Sequence, residues 1–283
     1  MGLRIGEISY TNILPLFFYL NRERLAANNV SFVPQIPTEL NRKMEQGLID
    51  LGGISSFSYG ENSDRYSLLP NLSVSSFGKV RSIFLFSKKP IDMLAGDTIA
   101  LTSSSATSVN LLKIILADFY KIDVDYHMMK PNYGWMMENY NACLLIGDDA
   151  IKAAWNEKKS SVYTYDLGAE WYKFTGLPMT FAVMAVRNEV IERQKALLLE
   201  LLSEMQESKE LNRQNQYSEM IPLIIQQHGG DFHYWSSYFK GLNYDFNEEH
   251  QKGLQYYYEL AQKSKLLNKK PQIKFIDYSL QGI

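Results

Sequence analysis

The sequence predicts an α/β protein with two lobes and a ligand cleft between them. Short apolar segments alternate with segments of helical periodicity, a pattern typical of a parallel sheet flanked by helices. Two longer apolar segments, 80–87 and 180–186, bracket a central α/β block, as expected of a chain that crosses twice between lobes. Small polar residues follow several predicted strands, which is where an open parallel sheet places its ligand.

The composition is that of a globular protein with no nucleic-acid or membrane partner. The chain has 283 residues, of which 46% are hydrophobic and 21% charged, and its net charge is −2. It has neither a basic run, nor an apolar stretch long enough to span a bilayer, nor the apolar core of a signal peptide, so we expect a cytoplasmic protein. The single Cys143 lies in an apolar run and is expected to be buried. With no metal-ligand cluster in sight, we predict no metal and no cofactor.

The N-terminal block is predicted to run strand, helix, strand, helix, strand. Its strands are short apolar runs at 3–9, 31–33 and 48–54. The first helix follows with Pro15 near its first turn, and the second begins at a Thr38 cap and ends before Gly47. The carboxyl ends of these parallel strands should meet at one edge of the sheet.

The central block lies between the two long strands and is followed by helices. Its shorter strands are predicted at 99–101, 124–128 and 140–146, and from Asn188 onward the pattern is helical. We therefore assign lobe 1 to residues 1–86, lobe 2 to 87–179, and a return strand with C-terminal helices to 180–283. This is the type II periplasmic-binding-protein architecture, expected here without a signal peptide.

A cluster of hydroxyl residues lies between the strand at 99–101 and the helix that follows it. Its six members are Thr102, Ser103, Ser104, Ser105, Thr107 and Ser108. One hydroxyl can cap the helix, but six exceed the need of one cap. Free N–H groups and the positive end of a helix dipole hold a carboxylate or phosphate without a lysine. The cluster therefore predicts an anion-binding cleft.

Several segments carry a family resemblance through their order and spacing across residues 4–186. They are 4–16, 47–50, 54–59, 69–70, 75–83, 100–108, 144–148, 165–171 and 175–178. In these segments the sequence resembles the chorismate dehydratase family of the futalosine pathway of menaquinone biosynthesis. The resemblance implies a lyase that removes water from chorismate, the small-molecule substrate, to give 3-[(1-carboxyvinyl)oxy]benzoate. It also implies the two-lobed fold.

Two other functions compete with this interpretation. The sister enzyme that makes 1,4-dihydroxy-6-naphthoate looks related, and in that family a histidine of the second lobe is the expected base. Only His127 lies in the central lobe, in the middle of a predicted strand where we interpret it as a packed core residue, which weighs against the sister enzyme. A non-catalytic cytoplasmic binder of an aromatic carboxylate is the second alternative, because fold does not fix function.

Asn12, Ser82 and Asp148 are the predicted catalytic residues. Asn12 can orient the substrate hydroxyl or a carboxylate, or else cap a helix that starts near Leu14. Ser82 lies on the first crossing strand, where an inward-facing side chain meets the ligand. Asp148 can accept the substrate hydroxyl or cap a helix near Ala150. We hypothesise that the enolpyruvyl carboxylate of the substrate itself takes the C3 proton, with Asp148 as the competing base.

The predicted substrate-binding residues come from both lobes. From lobe 1, Ser55 and Ser56 are expected to hold one carboxylate, with Thr11 beside Asn12. From lobe 2, the second carboxylate is expected to contact Ser105, Thr107 and Ser108. Thr175 and Gly176 are included as turn residues of the second hinge for which ligand contact is the lesser alternative.

Overall fold

A computed structural model describes residues 2–157 and 162–277 and contains two five-stranded sheets. The strands are β1 Leu3–Ile8, β2 Val30–Gln35, β3 Leu51–Ser55, β4 Tyr66–Ser76, β5 Ile83–Ser87, β6 Thr98–Thr102, β7 Asp125–Met129, β8 Ala142–Ile146, β9 Tyr163–Asp166 and β10 Met179–Arg187. The first sheet has the order β2-β1-β3-β10-β4 and the second β7-β6-β8-β5-β9. Each sheet forms the centre of one lobe, which confirms the predicted two-lobed α/β fold.

The helices pack on the faces of the two sheets. The α-helices are α1 Arg22–Ala27, α2 Pro37–Glu45, α3 Ser56–Glu61, α4 Ala106–Ile114, α5 Tyr133–Asn139, α6 Gly147–Asn156, α7 Leu167–Thr175, α8 Asn188–Ile191, α9 Lys195–Gln214, α10 Met220–His228, α11 Phe232–Gly241 and α12 Glu248–Lys263. Short 3₁₀ helices cover Thr11–Leu16, Ile91–Met93 and Glu192–Gln194, and a π-helical turn at Ile115–Tyr120 extends α4. In the described part of the chain, no helix combines the length and apolarity that a membrane span requires.

Parallel strands dominate the N-terminal half of the lobe 1 sheet, as predicted. Strand β1 pairs in parallel with β2 and β3, whereas β10 returns from lobe 2 to lie antiparallel between β3 and β4. Two of the C-terminal helices pack on this lobe: α9 packs on β4 and on the 3₁₀ helix that follows β1, and α12 packs on β10. Phe275 forms a bridge with Leu68 of β4, so lobe 1 contains both ends of the described chain.

Neither crossing between the lobes lies in the long strands that the sequence predicts. Strand β5 belongs wholly to the lobe 2 sheet, so the first crossing runs from Ser76 to Ile83, before the predicted boundary at residue 86. Gly78 and Arg81 both have positive φ, +85° and +61°, and these left-handed residues interrupt the extended backbone. The second crossing runs through α7 between β9 and β10.

Asp166 forms hydrogen bonds with both segments that cross between the lobes. Its buried carboxylate accepts hydrogen bonds from the backbone N–H groups of Val80 at 3.0 Å and Arg81 at 2.7 Å, in the first crossing. It also accepts one from Ala169 at 3.1 Å as the N-cap of α7, in the second crossing. One side chain thus satisfies backbone donors on both segments that join the lobes.

Other departures from the sequence prediction have local causes. Residues 66–76 form one strand instead of two, because both halves pair with β10. The register shifts between Val183 and Ala185, and Pro70 lies in the stretch of β4 that has no partner there, so it interrupts no ladder bond. The helix predicted after the first strand is only the 3₁₀ turn Thr11–Leu16, with Pro15 inside it. Helices α1, α3 and α5 are absent from the sequence prediction.

Candidate functional site

A narrow cavity lies where the two lobes meet. Its lining comes from both sheets and the helix starts beyond them: Ile8, Tyr10, Asn12, Pro37, Ser55, Ser82, Ile83, Ser105, Ser108, Ile146, Gly147, Phe181 and Ala182. The cavity volume is about 40 Å³, room for about three water molecules. The structure is therefore a closed form, and a substrate the size of chorismate requires the lobes to separate.

Helix N-termini supply the positive potential of this cavity. Pro37, Ser55, Ser105 and Gly147 lie at the beginnings of α2, α3, α4 and α6. Among the described residues that line the cavity, none has a charged side chain. An anion in the cavity would therefore be held by hydroxyls, backbone N–H groups and helix dipoles.

In lobe 2, Ser105 and Ser108 form a connected pair. The Oγ of Ser105 caps α4 by accepting from the backbone N–H of Ser108 at 3.0 Å, so Ser105 is the one hydroxyl of the cluster that the helix cap needs. The hydroxyl of Ser105 donates to the Oγ of Ser108 at 3.0 Å. No described residue accepts the proton of Ser108, so that proton remains available to a ligand.

In lobe 1, Ser55 is held by a residue that the sequence analysis missed. The Oγ of Ser55 caps α3 by accepting from the N–H of Ser58 at 3.1 Å, and it also accepts from the amide Nδ2 of Asn41 at 3.2 Å. The backbone N–H of Ser55 donates back to Oδ1 of Asn41 at 3.1 Å. Asn41 lies on α2, and its polar side chain in an amphipathic helix gave no sequence signal of this contact.

Asn12 presents an unsatisfied acceptor at the cavity wall. It lies inside the 3₁₀ helix Thr11–Leu16, and the cap residue of that helix is Tyr10, so the capping role considered for Asn12 does not apply. Its Oδ1 is buried and receives no hydrogen bond from the residues that the structure describes. An unsatisfied buried acceptor is unfavourable by about 1–3 kcal/mol, so a ligand that donates to it gains that free energy.

Ser82 lies just before β5 and faces the cavity from the first crossing. Its Oγ accepts a hydrogen bond from the hydroxyl of Tyr238 at 3.2 Å, and its own proton is engaged only weakly, with the carbonyl of Val80 at 3.4 Å. Tyr238 is fully buried on α11, and burial raises its pKa, so it stays a proton donor. No sequence motif indicated a role for Tyr238, because the C-terminal helices carry little family resemblance.

Thr11 and Asp148 pair with each other across the cleft and do not line the cavity. The Thr11 hydroxyl of lobe 1 donates to Oδ1 of Asp148 in lobe 2 at 2.7 Å. His228, at the end of α10, places Nδ1 3.6 Å from the other carboxylate oxygen. The structure therefore corrects two sequence predictions: the Thr11 hydroxyl is used on Asp148 and not on the cavity, and the Asp148 carboxylate accepts from Thr11, whereas the nearby Nδ1 of His228 has no hydrogen-bond partner among the described residues. Asp148 neither caps α6 nor faces the cavity.

The lobes also meet at Gly147. This residue has φ +58°, and a Cβ at its position would lie 2.8 Å from the ring of Tyr10, so only glycine permits this approach of α6 to lobe 1. The Tyr10 hydroxyl reaches Oδ2 of Asp149 at 3.4 Å. These contacts, with the Thr11–Asp148 pair, hold the cleft shut in this form.

The Asp148 carboxyl predicts a pH-dependent stability difference. Burial raises its pKa, although the Thr11 hydrogen bond and the nearby His228 lower it. A carboxyl whose pKa is higher in the folded protein contributes stability that is fully present below its unfolded pKa of about 3.9 and is lost as the pH rises through the folded pKa. We therefore expect Asp148→Asn, which cannot ionise, to gain stability relative to the wild type between about pH 4 and pH 7. Urea unfolding at both pH values tests this, and a constant or opposite difference would contradict it.

Ser56 and Thr107 lie behind the cavity and not along it. The Ser56 hydroxyl donates to the carbonyl of Thr180 at 2.7 Å, and the Thr107 hydroxyl contacts the carbonyl of Phe181 at 3.2 Å. Thr107 Oγ1 also accepts from the backbone N–H of Phe57 at 3.0 Å. The Ser56 proton is thus used on β10 within lobe 1 and the Thr107 proton on β10 across the lobes, so the structure gives both residues structural contacts in place of the predicted carboxylate contacts.

Four further residues with sequence expectations lie outside the cavity. Thr175 donates to the carbonyl of Trp171 at 2.8 Å and Gly176 ends α7 with φ +67°, so both are turn residues and neither lines the cavity. His127 is exposed on the edge strand β7 and contacts Tyr140, so the expectation of a packed core histidine was wrong. It is equally remote from the cavity. Cys143 is buried as predicted, and burial raises its pKa to about 12.

Comparison with known proteins places the chain in a family. The family model described as menaquinone biosynthesis matches residues 3–263. A chorismate dehydratase from Thermus thermophilus is 32% identical over 250 residues, which cover 81% of this chain and 88% of that protein. A 1,4-dihydroxy-6-naphtoate synthase from the same organism is 26% identical over 196 residues and 68% of each chain.

A solved structure supports the fold independently. The periplasmic aliphatic sulphonate binding protein SsuA from Escherichia coli superimposes with a TM-score of 0.69 at 17% identity, covering 100% of this chain and 96% of that one. This likeness confirms the two-lobed, periplasmic-binding-protein-like fold and carries no information on the ligand. Since the family model covers most of the chain and a relative is 32% identical across 81% of it, the chain belongs to the menaquinone biosynthesis family.

Proposed function

We propose that this protein is a chorismate dehydratase, a carbon–oxygen lyase of the cytoplasm that converts chorismate to 3-[(1-carboxyvinyl)oxy]benzoate in the futalosine pathway. The observation that carries the proposal is the 32% identity with the Thermus thermophilus protein of that name across 81% of the chain. The lining of the cavity is consistent with this substrate, because hydroxyls and helix N-termini from both lobes suit a small dianion such as chorismate.

The main requirement of the reaction is that the protein orients the reacting groups of the substrate. Loss of the C3 proton and the C4 hydroxyl makes the chorismate ring aromatic, so the product is strongly favoured. In our proposal Asn12 Oδ1 accepts from the C4 hydroxyl, because that oxygen has no donor among the described residues. Ser82 donates to the enolpyruvyl carboxylate and holds it beside C3.

In our proposal the proton transfer and the elimination both take place within the substrate. The enolpyruvyl carboxylate takes the C3 proton, and the C3–H electron pair forms the new ring double bond as the C4–O bond breaks. The departing hydroxide takes up the proton and leaves as water. The engagement of Asp148 with Thr11 supports this substrate-assisted route, because it leaves no carboxylate side chain among the described residues that line the cavity. Lobe closure would exclude water and competing rearrangements.

Incubation of the purified protein with chorismate tests the proposal. We expect mass spectrometry to show loss of one water, and ultraviolet absorbance to show a growing benzoate chromophore, without added metal or nucleotide. Unchanged chorismate that nevertheless binds to the folded protein would refute the lyase and favour a non-catalytic binder. Turnover of a downstream intermediate in place of chorismate would identify the naphthoate synthase, which the 26% relative keeps as the competing enzyme.

A further inference from the structure

The hydrogen bonds of Ser55 determine where its proton can go. A serine hydroxyl has one proton and two acceptor positions. Both acceptor positions of Ser55 are filled, by the N–H of Ser58 at 3.1 Å and by Nδ2 of Asn41 at 3.2 Å. Its proton has no acceptor in the part of the chain that the structure describes, and the residue lines the cavity.

The orientation of the Asn41 amide follows from its second bond. The backbone N–H of Ser55 can only donate, so the atom of Asn41 that faces it at 3.1 Å is the oxygen Oδ1. The other amide atom, which faces Ser55 Oγ, is therefore Nδ2, and an amide nitrogen cannot accept a proton. Asn41 thus prevents the Ser55 hydroxyl from turning back to donate to α2.

We infer that Asn41 is a positioning residue that makes Ser55 an obligate hydrogen-bond donor to the cavity, and thereby selects a carboxylate at this end of the ligand. In lobe 2 the pair Ser105 and Ser108 has the same consequence, because Ser105 uses its proton on Ser108 and leaves the Ser108 proton free. Each lobe therefore presents one fixed hydroxyl donor, which matches a ligand with two carboxylates. The inference rests on the proposed function only in naming that ligand as chorismate or its product.

An isosteric substitution of Asn41 turns the Ser55 hydroxyl away from the cavity and keeps the contact between residues 41 and 55. In Asn41→Asp one carboxylate oxygen still accepts from the Ser55 N–H, while the other, in place of Nδ2, accepts the Ser55 proton. The cavity then loses a donor to a charged group, and we expect the Kd of the product 3-[(1-carboxyvinyl)oxy]benzoate to rise by about 10–100-fold. Since this bond is made equally in the ground and transition states, KM for chorismate should rise while kcat changes little.

A double-mutant cycle separates the proton effect from simple charge repulsion. The partner substitution is Ser55→Gly, because glycine preserves the helix cap better than alanine does. In the Ser55→Gly background, Asn41→Asp should weaken product binding by less than about threefold, since the proton it captures is gone. Asn62→Asp adds the same charge to lobe 1 at the C-terminal end of α3, away from the cavity, and should leave the Kd unchanged.

Calorimetric titration of the four proteins of the cycle with the product decides the matter. Equal weakening by Asn41→Asp in both backgrounds would overturn the inference in favour of repulsion, and so would wild-type affinity in Asn41→Asp. Either result leaves the proposed function standing if the wild type still dehydrates chorismate. If the wild type neither turns over chorismate nor binds the product, the proposed function fails. In that case the double-mutant cycle is repeated with benzoate as the carboxylate ligand. Equal benzoate affinities of all four proteins would then overturn the inference as well.

Discussion

Replacing Asn12 by Leu is expected to lower kcat/KM for chorismate by about 10²-fold or more, because the C4 hydroxyl loses the acceptor that orients it for departure. Leucine has a similar size but no acceptor for the departing C4 hydroxyl. Because Oδ1 of Asn12 has no donor in the described protein, its removal deprives no other residue of a partner. The urea midpoint should therefore not fall, and the loss should appear only in the absorbance assay of product formation.

Asn12→Asp is the control for this substitution. It keeps an acceptor of the same shape but adds a negative charge to a cavity that already has to hold a dianion. We expect a raised KM as its main effect, in contrast to the lowered kcat of Asn12→Leu. A Leu variant with more than about one-tenth of wild-type kcat would remove Asn12 from the proposed mechanism.

Ser82→Ala is expected to lower kcat by about 10²-fold, because the enolpyruvyl carboxylate loses the donor that holds it beside C3. The substitution also leaves the buried hydroxyl of Tyr238 without its acceptor Ser82. A modest loss of stability, about 1–3 kcal/mol, should accompany the loss of activity. Steady-state kinetics and urea unfolding measure the two effects separately.

Tyr238→Phe distinguishes these two effects. It removes the same 3.2 Å hydrogen bond from the other side but leaves the Ser82 hydroxyl in the cavity. We expect kcat within about tenfold of the wild type, because the variant loses the hydrogen bond from Tyr238 to Ser82 but keeps the Ser82 hydroxyl that donates to the substrate. A kcat loss equal to that of Ser82→Ala would show that Ser82 acts through protein structure and not on the substrate.

Local patterns were sufficient to predict the parts of the site that lie close together in the sequence. The change from strand to helix around the hydroxyl cluster correctly predicted that one of its hydroxyls caps α4, and the structure shows that this residue is Ser105. Strand ends likewise predicted Ser55 and Asn12 at the edge of the lobe 1 sheet, and both line the cavity. These predictions rest on periodicity and capping, which depend on residues within one helical turn of each other.

The remaining features depend on contacts between distant segments. Ser56 follows Ser55 directly, yet its proton is used on β10, 124 residues later in the chain. Tyr238 reaches Ser82 across 156 residues from the C-terminal helices, where no motif indicates a role in the site. Whether a serine donates to the cavity or makes a structural contact therefore depends on which distant segments the fold places beside it, and the local sequence does not contain that information.

The most direct test of the account compares chorismate turnover by the wild type and by Asp148→Asn. We expect both proteins to release 3-[(1-carboxyvinyl)oxy]benzoate with kcat values within about tenfold, because the substrate carboxylate takes the C3 proton and Asp148 only pairs with Thr11 across the cleft. A loss above about 10³-fold with unchanged product affinity would make Asp148 the base and contradict the substrate-assisted mechanism. Absence of the product from the wild-type reaction would contradict the dehydratase itself.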